Sequence, residues 1–493
     1  MSWARSERQP GTTAFRDARA TFPDQLGRTG ADVSLVLNWG NPNYDNGDTP
    51  HSDSAVKAFG RFAAEMARRF DNMESLEVSN EFNGNNFVRG PIRGMAPRER
   101  AEAYVALLKS AATQVREVRP DMRIIGGAAH SIPAGYLWEV LDAGGAAYMD
   151  SLAIHPYTTP AEQFQRQLEV LRLHPDARDM PIEVTEFGNP NQTKAAAHLI
   201  RNYCQFALSG VTRAIWYPLN PRSDGMVPLL NKTGRVSTAG RAWRLVKTAM
   251  EAQPVRPFES DPFTYGCYFG NHTLVVWGEP RSVEISDGLD VLSATGSPIG
   301  PPHQITMEQP LIIRSPEGLP NDAVTLGPHG LVADSYHQFT YNGLEDDAFE
   351  RFAERDGTRI DLETRPGQEA RGRVWTPYLG YTDIGVARLG PEALRPAIVG
   401  DTSINIVQEY TAPNAQLVDI DATFNVAQRS DDGILVEVRH QDTVLYSEQG
   451  KGPHDINIQA ISLAAGDQLR FVVGPGATAR GDGTRYRIIL REN

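Results

Sequence analysis

Only two cysteines, Cys204 and Cys267, occur in 493 residues, and their placement supports neither a disulfide framework nor a C-x-x-C metal motif. Both read as small buried apolar residues, with one structural disulfide between them as the alternative. No uninterrupted apolar run approaches the roughly 18 to 20 residues that a membrane span requires. The opening MSWARSERQP lacks the charged-then-apolar pattern of a secretory signal. Positive charge is scarce: 48 Lys and Arg stand against 61 Asp and Glu, a net charge of -13, which disfavours nucleic acid and anionic membrane surfaces as partners. No G-x-x-x-x-G-K-(S/T) loop and no glycine-rich turn after the first readable strand support nucleotide binding. No H-E-x-x-H or similar cluster supports a metal site, and Asp45-Asn46-Gly47-Asp48 lacks the spacing and closing Glu of a calcium loop. The expectation is chemistry without metal or cofactor.

What is present is apolar material for real cores: 40% of residues are hydrophobic and 22% charged. A chain of this length exceeds the roughly 250 to 300 residues at which single cores stop growing, so several domains are expected. Between about residues 30 and 250, short apolar runs alternate with amphipathic stretches, as in a parallel sheet with crossover helices. Candidate strands are Val33 to Asn38, Ser75 to Glu81, Arg123 to Gly127, Ser151 to His155, Ile182 to Glu186 and Arg213 to Tyr217. Nearly every one ends in a polar or aromatic cluster: Asn38-Trp39, Asn80-Glu81, His155-Pro156-Tyr157, Glu186-Phe187 and Trp216-Tyr217. In a barrel all strand C-termini share one face, where these clusters would converge. The fold expected is therefore α/β, a TIM-type barrel, with all-β sandwich domains after it. The boundaries read as a barrel over 1–251, a small β-sandwich subdomain packed on the barrel over 252–318, and a jelly-roll sandwich over 321–493, the last two rich in short strands and turns.

Cleavage of a glycosidic bond with retention needs one protonated and one ionised carboxyl group, about 5 to 5.5 Å apart. Glu81 closes SLEVSNE and Glu186 closes IEVTE, two strand ends that only a closed sheet is expected to bring face to face. Glu183 is the rival nucleophile, but it lies three residues inside the strand with opposite side-chain parity. Trp39, His155, Tyr157, Phe187, Trp216 and Tyr217 supply faces and polar tips suited to sugar rings, although each alone also suits packing. His130 reads equally well as a site residue or a loop cap.

LVLNWGNPNYDNGDTP, LEVSNEFN, DSLAIHPY and PIEVTEFGNP together resemble the clan A glycoside hydrolases, particularly family 39 and related bacterial exopolysaccharide-cleaving glycosidases, over roughly residues 1 to 315. The resemblance implies a (β/α)8 barrel with Glu81 ending strand four as general acid/base and Glu186 ending strand seven as nucleophile. It places Asn80 on the sugar hydroxyl beside the anomeric centre, with Asn38, Trp39, His155, Tyr157, Trp216 and Tyr217 as further substrate-binding residues. It also implies a polysaccharide or oligosaccharide substrate and a periplasmic or secreted location. Counting back from strand four, Val33 to Asn38 is strand three, a helix spans about Ala14 to Gly27, and SWARSERQPG is the end of strand two with its turn. Strand one and part of strand two are unaccounted for, and the chain is expected to be shorter than the family at its N-terminus. DDGILVEVRH, AAGDQLRFVVGPG and GDGTRYRIIL look like jelly-roll modules of polysaccharide-active enzymes, with Trp375, Tyr378 and Tyr381 as a candidate stacking platform. A non-catalytic saccharide-binding protein and a transglycosylase using the same carboxylates remain alternatives.

Overall fold

The computed structural model describes residues 2–16, 18–342, 344 and 347–493. They form two compact units, the first comprising 1–243 with 366–376 and the second 244–365 with 377–493. The chain thus leaves the second unit after Arg365, serves the first for eleven residues' worth of segment 366–376, and returns at Pro377.

The first unit is built on six parallel strands hydrogen-bonded in chain order: β1 (Val33–Leu37), β2 (Met73–Val78), β3 (Arg123–His130), β4 (Ser151–His155), β5 (Ile182–Phe187) and β6 (Val211–Trp216). All six expected strands are present. They make an open half-barrel rather than a closed eight-stranded one, and the only pairing beyond β1 among the described residues is an isolated parallel bridge from Ser2 to Asn38. Burial follows position in the sheet. Central β4 is buried at every residue, whereas β1 alternates and β6 leaves Thr212 and Ile215 exposed, the pattern of strands covered on one side only.

Helices return the chain between strands. Asp53–Arg69 starts at Ser52, whose Oγ accepts from the Ala55 amide at 3.3 Å, and it buries Phe59, Phe62, Ala63 and Met66 on one face. Pro97–Val118 opens on a proline, which needs no amide partner in the first turn, and ends before Pro120. The helix expected over Ala14 to Gly27 is confined to Phe22–Gly27. Pro23 at its start has no N–H to continue a helix arriving from upstream. SWARSERQPG forms a helical turn, Trp3–Ser6, instead of strand; Trp3 is buried, stacked on Tyr44 at 5.3 Å and on Phe62 at 6.0 Å. Among the described residues no helix is long and apolar enough to cross a membrane.

The second unit is almost wholly antiparallel sheet. A five-stranded sheet including Thr264–Phe269, Thr273–Gly278 and Leu311–Arg314, and a three-stranded sheet centred on Arg281–Ile285, enclose Leu274, Val276, Val283, Ile305, Leu311 and Ile313. Residues beyond about 330 form sheets of eight and seven strands. In one of them, Gln416–Val426 buries Val418, Ile420, Ala422 and Phe424, every second residue, as a sheet covered on one face requires. Buried charges are paired here: Arg487 meets Asp334 at 2.6 Å and Glu279 at 2.7 Å, and His337 Nε2 meets Glu279 at 2.9 Å. Tyr378 is buried within its strand, and Trp375 belongs to the first unit. Neither cysteine is a free thiol, a possibility the sequence left open; both are buried, as expected.

Candidate active site

The C-terminal ends of β2 to β5 meet at one place. The chain leaves β2 through Ser79 and Glu81, both with positive φ (71° and 43°), while β3 is interrupted by positive φ at Gly127 and Ala128 and is left through Ser131, also with positive φ. Non-glycine residues enter this region at a cost of about 1 to 3 kcal/mol each, and such strain gathers where side chains are held for function. Here the Glu81 amide donates to Ala128 O at 2.7 Å, locking the two turns together. A register shift between Gly126 and Ala129 against β4 turns the end of β3 so that His130 faces Glu81.

Glu81 is buried and accepts two hydrogen bonds on the same oxygen, from His130 Nδ1 at 2.9 Å and from His155 Nδ1 at 3.1 Å. Across from it Glu186 accepts from the Tyr157 hydroxyl at 3.0 Å. One carboxylate oxygen of Glu81, one of Glu186 and a ring nitrogen of His155 all lie within 4.8 Å of one another. Beneath them Thr185 Oγ1 donates to Glu77 at 2.9 Å and lies 3.1 Å from His155 Nε2. Because the Thr185 proton is directed at Glu77, its oxygen accepts from Nε2, and both nitrogens of His155 are donors. That arrangement suits a doubly protonated ring.

The electrostatics follow. Burial would push the His155 pKa down, but its bonds to Glu77 and Glu81 and the charge of Glu186 outweigh burial and raise it to about 10. Burial would push Glu81 up, yet the hydrogen bonds from His130 and His155 hold it at about 2. Glu186 is raised: burial dominates, the His155 charge and the Tyr157 bond oppose it, and Glu81 and Glu77 add to it. Burial and Glu186 together lift the Tyr157 phenol. This order is the reverse of the one the sequence suggested, in which Glu186 was to be the ionised group and Glu81 the protonated one.

The other expected residues divide. Asn80 is buried with its Oδ1 bonded to no other group, adjacent in sequence to Glu81. Asn38 Oδ1 lies 3.3 Å from Ser79 Oγ, at the base of the β2 turn. Trp39, 38% exposed, stands beyond β1 with Phe87 at 5.6 Å and the Arg89 guanidinium 4.8 Å over its ring. Tyr217 donates to Asp224 at 2.7 Å, and burial, that bond and nearby carboxylates lift it to about 12. Trp216 is buried, its Nε1 donating to Val227 O at 2.9 Å and its ring edge-on to Phe187; its indole is spent on packing. Glu183 is buried below the pair, bonded by Ser151 at 2.6 Å.

Glu77 and Thr185 at the centre, which hold His155, were not expected, while His130, which read equally well as a site residue or a loop cap, lies beside Glu81 and holds it. Trp375 packs edge-on against His130 with ring centroids 5.2 Å apart, and segment 366–376 is anchored where Gln368 exchanges two hydrogen bonds of 2.8 Å with Asn83. Alternation gave one usable signal: Glu77 has the parity of Glu81 along the β2 run. Two groups bring three ligand-type atoms within 4.8 Å, namely Glu81, His155 and Glu186, and Glu279, Asp334 and His337. In each the protein itself furnishes positive charge, through His155 and Arg487 respectively.

The architecture is similar to that of a family 39 glycoside hydrolase from the gut symbiont Bacteroides cellulosilyticus WH2, with a TM-score of 0.51 and 16% identity over 64% of this chain and 74% of that one. Its fold resembles a glycoside hydrolase's. A GH39 β-xylosidase from Caulobacter crescentus aligns with a TM-score of 0.39 and 16% identity, over 62% of this chain and 85% of that one. A β-porphyranase of glycoside hydrolase family 86 from the human gut bacterium Bacteroides plebeius aligns with a TM-score of 0.38 and 13% identity, over 94% and 86%. No protein-family model and no curated protein matches the sequence.

Proposed function

We propose that the protein is a retaining glycoside hydrolase acting on a polysaccharide or oligosaccharide, with bacterial exopolysaccharide as the substrate class that the sequence resemblance implies. The observation that carries this reading is the spacing of the two carboxyls. One oxygen of Glu81 and one of Glu186 lie within 4.8 Å of each other, which supports a close carboxyl pair of the kind that permits direct attack on an anomeric carbon. Glu186, oriented by the Tyr157 hydroxyl, attacks the anomeric carbon as the glycosidic bond breaks. Glu81 delivers a proton to the leaving oxygen and then, as base, takes one from the water that releases the sugar from Glu186.

Two carboxyls this close titrate as a pair sharing one proton. The two histidine donors on Glu81 favour its ionised form and bias that proton toward Glu186. Catalysis needs it on Glu81, so substrate binding has to shift it, by placing the glycosidic oxygen against Glu81 and drawing the nucleophile's charge toward the anomeric centre. The same bias favours a non-catalytic saccharide-binding protein as the second reading, since an acid held ionised donates nothing.

One experiment separates them. Glu186→Ala should lower hydrolysis of aryl glycosides by about 10⁴-fold or more, and azide should restore it with a glycosyl azide of inverted configuration as product. Wild-type product released with inverted configuration would sink the retaining mechanism. Unchanged oligosaccharide after long incubation, with binding intact, would establish the binding protein.

A further inference from the structure

Beside the carboxyl pair, within the first unit, lies a cavity of about 280 Å³. It begins close to Glu81: the Gly84 amide donates to Glu81 O at 2.9 Å, and Gly84 and Trp375 both line the wall. Its charge is one-sided. Arg93, Arg100, Arg371 and Arg373 line it and no carboxylate does. Arg373 has Glu369 at 4.0 Å, the margin of an ion pair, while Arg371 reaches only the Gly94 carbonyl, at 3.5 Å.

Arg100 is the less usual member. It is 7% exposed, and its four hydrogen bonds, of 2.7 to 3.0 Å, go to the carbonyls of Asn83, Gly84 and Arg93 and the side-chain amide oxygen of Asn85. Its Nε has no partner, and neither has the hydroxyl of Tyr136, 1% exposed on the same wall. A buried guanidinium answered only by neutral oxygens is costly unless a negative charge completes it. Burial depresses the Arg100 pKa, Tyr136 opposes it and the charge of Arg371 adds to it, a stress that a bound anion relieves.

We propose that this cavity is a subsite for an acidic sugar, one carrying a carboxylate or a sulfate, on the leaving-group side of the scissile bond. The placement rests on the reading of Glu81 as acid/base, because that group touches the leaving oxygen, and His130, bonded to Glu81, packs on Trp375 of the cavity wall. Trp375 offers a ring to stack against the sugar, and the arginines hold its charged substituent.

The test is calorimetric binding to the full chain carrying Glu186→Gln, which holds oligosaccharide without turnover. The probes are tetramers of glucuronic acid, the same tetramers carboxyl-reduced to glucose, and galactose tetramers with and without sulfate, while wild-type turnover of neutral aryl glycosides is followed in parallel. One acidic tetramer should bind roughly tenfold or more tightly than its neutral counterpart at low salt, and which acid does so identifies the substituent. The ratio should shrink below about twofold when Arg93→Gln and Arg371→Gln are combined, and should fall in Tyr136→Phe, which deletes one oxygen and preserves the packing. Equal binding of acidic and neutral tetramers, or a preference that survives the double substitution, overturns the subsite. If neutral glycosides are turned over without any such preference, the subsite fails alone. No binding and no turnover sink the glycosidase reading with it.

Discussion

At the residue scale, the site is a chain of donors ending on two carboxylates, and each donor has a separable consequence. Tyr157→Phe removes the one side-chain hydrogen bond that Glu186 accepts, so the Glu186 pKa should rise further and the acidic limb of the kcat/KM profile should move to higher pH. A hydrogen bond to a charged group implies a loss of roughly tenfold to a hundredfold. His130→Ala removes one of two donors that depress Glu81. Its proton affinity should then rise and the alkaline limb should move up, which a pH series on both variants checks. The carboxyl pair itself was legible in the sequence, because each Glu ends an apolar run in which strand and polar terminus are both plain. Its supports were not. His130 faces Glu81 only through the irregular register of β3 on β4, and Trp375 reaches the site through a segment whose anchor, Gln368, lies 285 residues from its partner Asn83. Neither local periodicity nor spacing carries that information.

At the scale of elements, the six parallel strands were readable because each is a short buried run between breakers. The helix placed at residues 14–27 by counting back from strand four is shorter than expected because Pro23 permits a helix only downstream of itself. The element with most leverage on the site is the helix Ala134–Asp142, whose Gly135 receives segment 366–376: its amide donates to Gly367 O at 2.9 Å, and an added Cβ would lie 2.6 Å from that same oxygen. Gly135→Val should therefore lift the segment away. Trypsin should then cleave after the exposed Arg371 much faster than in the wild type, with the circular dichroism of the remaining fold little changed. Cleavage at the wild-type rate would show that the segment is held by Gln368 and Trp375 without that close approach.

At the scale of the whole molecule, the two units should respond differently to pH. His155, in the first, has a folded pKa raised above its ordinary 6.5 to about 10, so its contribution is fully present below 6.5 and is lost as pH rises toward 10. Glu81 in the first unit and Glu279 in the second are both held at about 2 from an ordinary 4.5. Burial opposes each, but His130 and His155 hold down Glu81, and His337 and Arg487 hold down Glu279. Those contributions are present above 4.5 and disappear as pH falls toward 2. Scanning calorimetry should show both units weakened by acid, and between pH 7 and 10 a decline that His155→Gln abolishes and Glu279→Gln leaves in place.

Segment 366–376 sets a limit on how this protein can be divided or recombined. A fragment ending at residue 243 would contain both carboxylates and every strand of the half-barrel, yet it would lack Trp375, Gln368 and two of the four cavity arginines. Exchanging the later domains for those of another protein would rewrite one wall of the cleft together with the appended sandwich. Selection for a new polymer could therefore act through an eleven-residue stretch far downstream, leaving the reacting groups untouched.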